Sequence, residues 1–190
     1  AAHPHAPRRH PEGRHPRPTL QRIIDALDPY PALITNECMD LVAGNLAATC
    51  LYSELISDPY SGPNHARFTF ISPHAREFYV EWELVADEVV AALRLYVTRN
   101  PGHAELSALI DDLRSRSEEF RTRWEAHDVL HERRGIAVYD HPSVGRLTFD
   151  YERLDLPADP GLGLLVQTFE RGSPTEHGLA QLRRSVLEIT

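Results

Sequence analysis

Residues 117–129 read S-E-E-F-R-T-R-W-E-A-H-D-V, and a short connector leads to H-P-S-V-G-R-L-T-F-D-Y at residues 141–151. The first half ends an amphipathic helix, with Leu113, Ser117, Phe120 and Trp124 three or four residues apart on one face. The second half turns at Pro142–Gly145 into a strand whose Leu147, Phe149 and Tyr151 alternate with Arg146, Thr148 and Asp150. A hydrophobic period that changes from helix to strand within one stretch predicts a mixed α+β chain. No catalytic or metal motif accompanies the change, which points to a sensor more than to an enzyme.

Working upstream, the helix ending at Trp124 is predicted to start after Pro101-Gly102, with Leu106, Leu109, Ile110 and Leu113 on the same side. Ser117 is polar on this apolar stripe: either its hydroxyl bonds back to the carbonyl one turn earlier, or it contacts a ligand. A second long helix is predicted after Ser72 as N-cap and Pro73 at the first helical position. Ala75, Phe78, Tyr79, Trp82, Val85, Ala86, Val89, Leu93 and Tyr96 form its stripe. Such a stripe faces either a core or a ligand, and Trp82, Val89, Leu93 and Trp124 are the candidates. Arg94, at its edge, is a candidate for holding a carboxylate bidentately, or else is a surface Arg beside Asp87 or Glu88.

Nearer the N-terminus, Ala32–Thr35 and Met39–Ala43 read as two strands around the turn Asn36-Glu37. Asn45 follows at once, as the N-cap of a helix through Leu55 or as a polar pocket contact. Thr19 is expected to cap a short amphipathic helix carrying Leu20, Ile23, Ile24 and Leu27. Residues 58–64 read as a loop, and Phe68–Ile71 as a short apolar piece docked under it. Residues 1–18 are rich in His, Pro and Arg and are expected to form a disordered linker ahead of a single domain at residues 19–190. Downstream, strands are predicted at His127–His131, Ile136–Tyr139 and Leu164–Phe169, and a terminal helix at Leu179–Ile189. The sheet is mainly antiparallel with helices on one face.

The chain has 190 residues, 42% of them hydrophobic, which suffices for one core. It has neither a membrane-length apolar run nor the apolar segment of a signal peptide, so a cytoplasmic location is expected. Its basic residues are all Arg, and outside the slightly basic first 18 positions acidic residues exceed them. An acidic body repels a phosphate backbone, so the folded part is not expected to bind nucleic acid. Cys38 and Cys50 lack the spacing of a zinc site or disulfide framework.

His127-Asp128 and Asp140-His141 place imidazole beside carboxylate, but neighbours on a strand point to opposite faces. His127 is read as a helix-terminating His or as a cavity residue, and His141 as shaping the turn before Pro142. No G-x-S-x-G, H-E-x-x-H, Walker or G-x-G-x-x-G pattern occurs. Neither long helix carries a His between His74 and His103, which disfavours haem, and Cys50 lacks a flavin-type setting. No cofactor and no enzyme activity are expected.

The ordered succession of Pro31-Ala32, Asp40-Leu41-Val42-Ala43, Asn45, Phe78–Trp82, Ala92-Leu93-Arg94, Leu109–Ser117, the stretch quoted first and Gly172-Ser173-Pro174 resembles the C-terminal ligand-binding domain of MmyB-like transcription regulators. The resemblance spans roughly residues 17–182. It implies a PAS-like fold with two long helices inserted, and a cavity for a small apolar molecule, with fatty acyl chains among the possible occupants. It also implies an N-terminal helix-turn-helix of the XRE type that reads DNA. That half is missing here, and a first residue Ala fits a fragment of a longer protein. The family has aromatic residues at the positions of Met39 and Gly44, a departure expected to reshape the pocket. The candidate site comprises Asn45, Trp82, Val89, Leu93, Arg94, Ser117, Trp124 and His127. A ligand-free dimerisation module is the alternative, with Tyr30, Tyr52, Tyr60 and the terminal helix available for a homodimer interface.

Overall fold

Asn36 turns the chain between β1 (Ala32–Asn36) and β2 (Leu41–Gly44) by donating from its side chain to Asp40 Oδ2 and accepting the Asp40 amide, each at 2.9 Å. The computed structural model describes residues 16–126 and 135–188. The sheet is completed by β3 (Ile136–His141), β4 (Gly145–Asp155) and β5 (Leu162–Thr168), in the antiparallel order β2-β1-β5-β4-β3. Gly145, at φ 79°, supplies the left-handed residue the β3–β4 turn requires. The chain is thus an α+β protein with a PAS-like sheet, the first and last hairpins meeting through β1 and β5.

Strand alternation gives β1 two apolar faces. Leu33 joins the main core, whereas Ala32 and Ile34 pack with Leu164 of β5 against Leu20 and Ile24 of α1 (Pro18–Ala26). The expectation of helices on one face is therefore corrected, since α1 covers the back of the sheet. Thr19 does not cap it: Arg17 is the N-cap residue, Pro18 occupies the first turn, and the Arg17 guanidinium pairs with Asp159. The strand expected at Met39 begins at Leu41. Met39 lies in the turn at φ 61°, a conformation uncommon for a side-chain-bearing residue.

On the inner face the chain runs through α2 (Leu46–Leu51), α3 (Ser53–Ser57) and α4 (His65–Ile71), so the expected piece at Phe68–Ile71 is the end of a capped helix. Both predicted long helices are interrupted. Ser72 closes α4 and does not begin the following helix; its hydroxyl accepts the His74 amide at 3.2 Å. α5 (Ala75–Phe78) and α6 (Trp82–Arg99) are separated by extended backbone at Tyr79, which bridges to Tyr139 of β3. α7 (Ala104–Arg116) and α8 (Glu118–Glu125) break at Ser117, whose extended backbone frees its hydroxyl to cap α8 through the Phe120 amide at 3.1 Å. α9 (Pro174–Leu187) starts five residues before the expected Leu179. Ser173 accepts the Glu176 amide, and Glu176 accepts the Gly172 amide. α9 lies on β4 and α2, with Leu179 and Leu182 in the main core. No helix among the described residues is long and apolar enough to cross a membrane.

Candidate functional site

Between the inner face of the sheet and α6 lies a cavity of about 120 Å³. Leu84, Val85, Glu88, Val89 and Ala92 of α6 form one wall. Leu33 and Thr35 of β1, Ala137 and Tyr139 of β3, Tyr151 and Arg153 of β4, and Leu165 and Gln167 of β5 form the other. Met39, Leu55, His65 and Tyr79 close the sides, and the wall is mostly apolar.

The polar groups in the wall largely satisfy one another. Tyr52 Oη donates to Gln167 Oε1 at 2.9 Å and lies 2.9 Å from Tyr139 Oη, while Gln167 Nε2 donates to Tyr139 Oη at 2.7 Å. Because a phenol has one proton and that of Tyr52 is committed to Gln167, Tyr139 must donate to Tyr52, and the three side chains form a closed ring of donors. Burial pushes the Tyr139 phenol up to about 12 and that of Tyr52 well above its usual range, so both stay protonated. Tyr151 Oη donates to Glu88 Oε1 at 3.0 Å. His65 is lowered to about 4, first by desolvation and then by the charge of Arg153, and is neutral at pH 7.

Arg153 differs from these. Its Nη2 donates to Thr35 Oγ1 at 2.9 Å and to Tyr96 Oη at 2.8 Å, both neutral oxygens. Its guanidinium lies against Gly163, where a Cβ would come within 3.0 Å of Nη2 and 3.4 Å of Cζ.

Of the residues expected at the site, Val89 lines the cavity. Asn45 instead joins four backbone groups. Its Oδ1 accepts from Ala32 N at 3.1 Å and Ala48 N at 2.9 Å, and its Nδ2 donates to Ile24 O at 3.1 Å and Tyr30 O at 2.9 Å. Trp82 donates from its indole to Thr69 O at 2.9 Å, with the Arg76 guanidinium 3.7 Å from its ring centroid. Leu93, about 40° around the helix from Val89, belongs to the second core, between α6 and α7. The Arg94 guanidinium donates to the carbonyls of Arg123 and Trp124 at the C-terminal end of α8, so it is not available in the cavity for a carboxylate. Ser117 is the cap described above, and Trp124 stacks on Phe120 at a centroid separation of 5.5 Å. His127, Asp128 and the strand expected at His127–His131 lie outside the described residues. The structure thus gathers Val89 with residues that were not expected: Thr35, His65, Glu88, Tyr139, Tyr151, Arg153 and Gln167.

Of the two departures, Met39 lines the cavity, while Gly44 is packed where a Cβ would stand 3.3 Å from Ala48 Cβ. Tyr52 is buried and Tyr30 packs on Phe169, which leaves Tyr60 exposed among the tyrosines considered for an interface. Asp140 pairs with Arg146, and His141 is buried and accepts the Ser143 amide at 3.2 Å, shaping the turn as expected. Cys38, His103 and Glu105 bring ligand-type atoms within 4.8 Å of one another. His103 Nδ1 accepts the Leu106 amide at 3.2 Å, so the neutral ring carries its proton on Nε2. A metal bound by this ring would therefore require the α7 cap to break or the ring to lose a further proton.

The cavity offers a hydrocarbon surface with polar groups at fixed positions, which suits retention of a small molecule. A comparison with curated proteins returns no match. A comparison with protein families matches residues 16–182 to the MmyB-like transcription regulator ligand binding domain. The alternating strands, the PAS-like sheet and the cavity under α6 agree with that match, and the chain belongs to the MmyB-like transcription regulator ligand-binding domain family.

Proposed function

We propose that the cavity holds a small hydrophobic or amphipathic molecule, fatty-acid-like in shape, whose binding modulates DNA recognition by an XRE-type helix-turn-helix domain of the same regulator. The observation that carries this reading is the mostly apolar cavity between α6 and the sheet, in a chain of a regulator ligand-binding family. On this reading the regulator acts in the cytoplasm as a homodimer and no covalent step takes place. The ligand favours one of two conformations, and a coupling of about 1–3 kcal/mol to the DNA reader is the usual scale. α1 is the natural output element, because it packs directly on the back of β1.

Native mass spectrometry of the purified chain, followed by denaturing extraction, tests the reading. A stoichiometric apolar species is the expected result. A bare protein in a tight dimer would replace the ligand reading with a dimerisation module. In the full-length regulator, an extracted ligand that left DNA affinity unchanged would remove the signalling half of the proposal.

A further inference from the structure

Among the described residues, Cys38, His103 and Glu105 bring a thiol, an imidazole and a carboxylate together, with one ligand-type atom of each within 4.8 Å of the others. Cys38 comes from the turn between β1 and β2, and the other two from the start of α7. Spacing around Cys38 carries no zinc signal because its partners lie on a distant segment that the fold brings beside it. Both segments are held independently of any ion. Asn100 Nδ2 donates to Glu37 Oε1 at 2.6 Å, tying the loop before α7 to that turn. Asn64 Nδ2 donates to the Cys38 carbonyl at 2.8 Å, and the Met39 carbonyl accepts the His65 amide at 2.9 Å. Exposure rises from the buried Cys38 through the half-buried His103 to the exposed Glu105, so the cluster is open to solvent on the Glu105 side.

We propose that these three side chains form a binding site for a thiophilic divalent cation of the zinc class, with a fourth position left to water, and that its occupation uncaps α7. Thiolate and imidazole favour zinc-like ions over magnesium or calcium. Three protein donors with an open position differ from the closed four-donor arrangement of a purely structural ion. The Cys38 thiol gives up its proton to water as the metal–sulfur bond forms. The neutral His103 ring has one lone pair, which accepts the Leu106 amide through Nδ1. A metal on Nδ1 takes that lone pair, and a metal on Nε2 shifts the ring proton to Nδ1, where it opposes the amide. Either way the first turn of α7 loses its cap. Leu106 is buried in the second core with Val89 and Leu93 of α6, and Met39, next to Cys38, lines the cavity. The site does not depend on what the cavity holds.

Titration of the reduced, chelator-stripped chain with cobalt(II) at pH 7.5 tests the site. Cobalt bound to a thiolate absorbs in the near ultraviolet by charge transfer, whereas cobalt on the histidines of the N-terminal segment does not. The band should saturate at a single equivalent and be abolished by zinc(II). It should persist in Cys50→Ser and vanish in Cys38→Ser. Glu105→Gln should weaken cobalt binding by at least about tenfold. His103→Asn, which keeps a capping side chain in place of the imidazole, should do the same, and it decides the matter if Cys38→Ser does not fold. Zinc(II) should speed hydrogen exchange at the Leu106 amide by about tenfold in the unmodified chain and leave it unchanged in His103→Asn. Absence of the band, or a band that Cys38→Ser retains, would overturn the site. A normal band with unchanged exchange at Leu106 would overturn the link to α7.

Discussion

Replacing Asn45 with alanine removes one acceptor and one donor group that together serve four backbone positions on four segments. The Ala32 amide belongs to β1, the Ala48 amide to the first turn of α2, and the Ile24 and Tyr30 carbonyls to α1 and the connector after it. Ile24, Ala32 and Ala48 are fully buried and Asn45 itself is 2% exposed, so bulk water does not reach their groups in the intact fold. A backbone group left buried without a partner costs about 1–3 kcal/mol. The Ile24 carbonyl keeps the Leu27 amide at 3.2 Å; taking about 1 kcal/mol for each of the other three groups, because a water entering the vacated space recovers part of the loss, Asn45→Ala should destabilise by about 3 kcal/mol. That is a large share of the roughly 5–15 kcal/mol that holds a domain together. A cap alone is worth about 0.5–2 kcal/mol, so Asn45→Ser, which can restore the bond to Ala48 alone, should recover only about 1 kcal/mol. Asn45→Asp keeps both accepted bonds but sets a carboxylate against two carbonyl oxygens, and should resemble alanine at pH 7. Urea unfolding followed by far-ultraviolet circular dichroism measures all three, with the slope against denaturant unchanged. A loss below about 1 kcal/mol for alanine, or nearly full recovery by serine, would reduce Asn45 to an ordinary helix cap.

His65 should make stability depend on pH. Its folded pKa, about 4, lies below the ordinary 6.5. The neutral ring therefore contributes stability that is complete above pH 6.5 and lost as pH falls toward 4, about 2 kcal/mol of it between pH 7.5 and 5. Urea unfolding of His65→Gln at those two pH values should show a correspondingly smaller drop than the unmodified chain, and equal drops would refute the assignment. Gly178 on α9 should resist alanine despite the helix preference gained, because a Cβ there would stand 2.7 Å from Cδ2 of the buried Leu147. Gly178→Ala should lose about 1–2 kcal/mol net and lower the thermal midpoint by several degrees, and a raised midpoint would count against that packing.

The parts of the fold that could be read from sequence were those with a local signal. Gly145 and the alternation of Leu147 and Phe149 marked the β3–β4 hairpin, and Asn45 was readable as a cap because the groups it caps follow it directly. The helix breaks were hidden because they lie inside continuous apolar stripes. Tyr79 keeps the helical spacing yet leaves the helix to bridge to Tyr139, a partner sixty positions away. Ser72 carries the signals of a helix start while closing the helix before it. The candidate site was the least legible part, since α6 buries two faces and spacing does not say which one meets the cavity. Leu93 and Val89 satisfy the same periodicity, and only Val89 lies in the cavity wall. Arg153 did have a signal. It continues the inward series Leu147, Phe149, Tyr151 by one more step, but a charged residue at the end of an apolar alternation reads as the strand leaving the core.

β1 meets the cavity through Leu33 and Thr35 and meets α1 through Ala32 and Ile34. The partition between a bound molecule and the N-terminal helix is therefore one strand thick, with no intervening layer to absorb a disturbance. Adjacent residues of a strand share one backbone, so its two faces cannot tilt independently, and a molecule that spreads Leu33 and Thr35 must swing Ile34 beneath α1. The Asn45 side chain, bonded to Ala32 on the strand and Ile24 on the helix, removes the slack that would otherwise let α1 slide. On the ligand-binding reading proposed above, β1 would act as a diaphragm, converting the filling of the chamber on one side into displacement of the helix on the other.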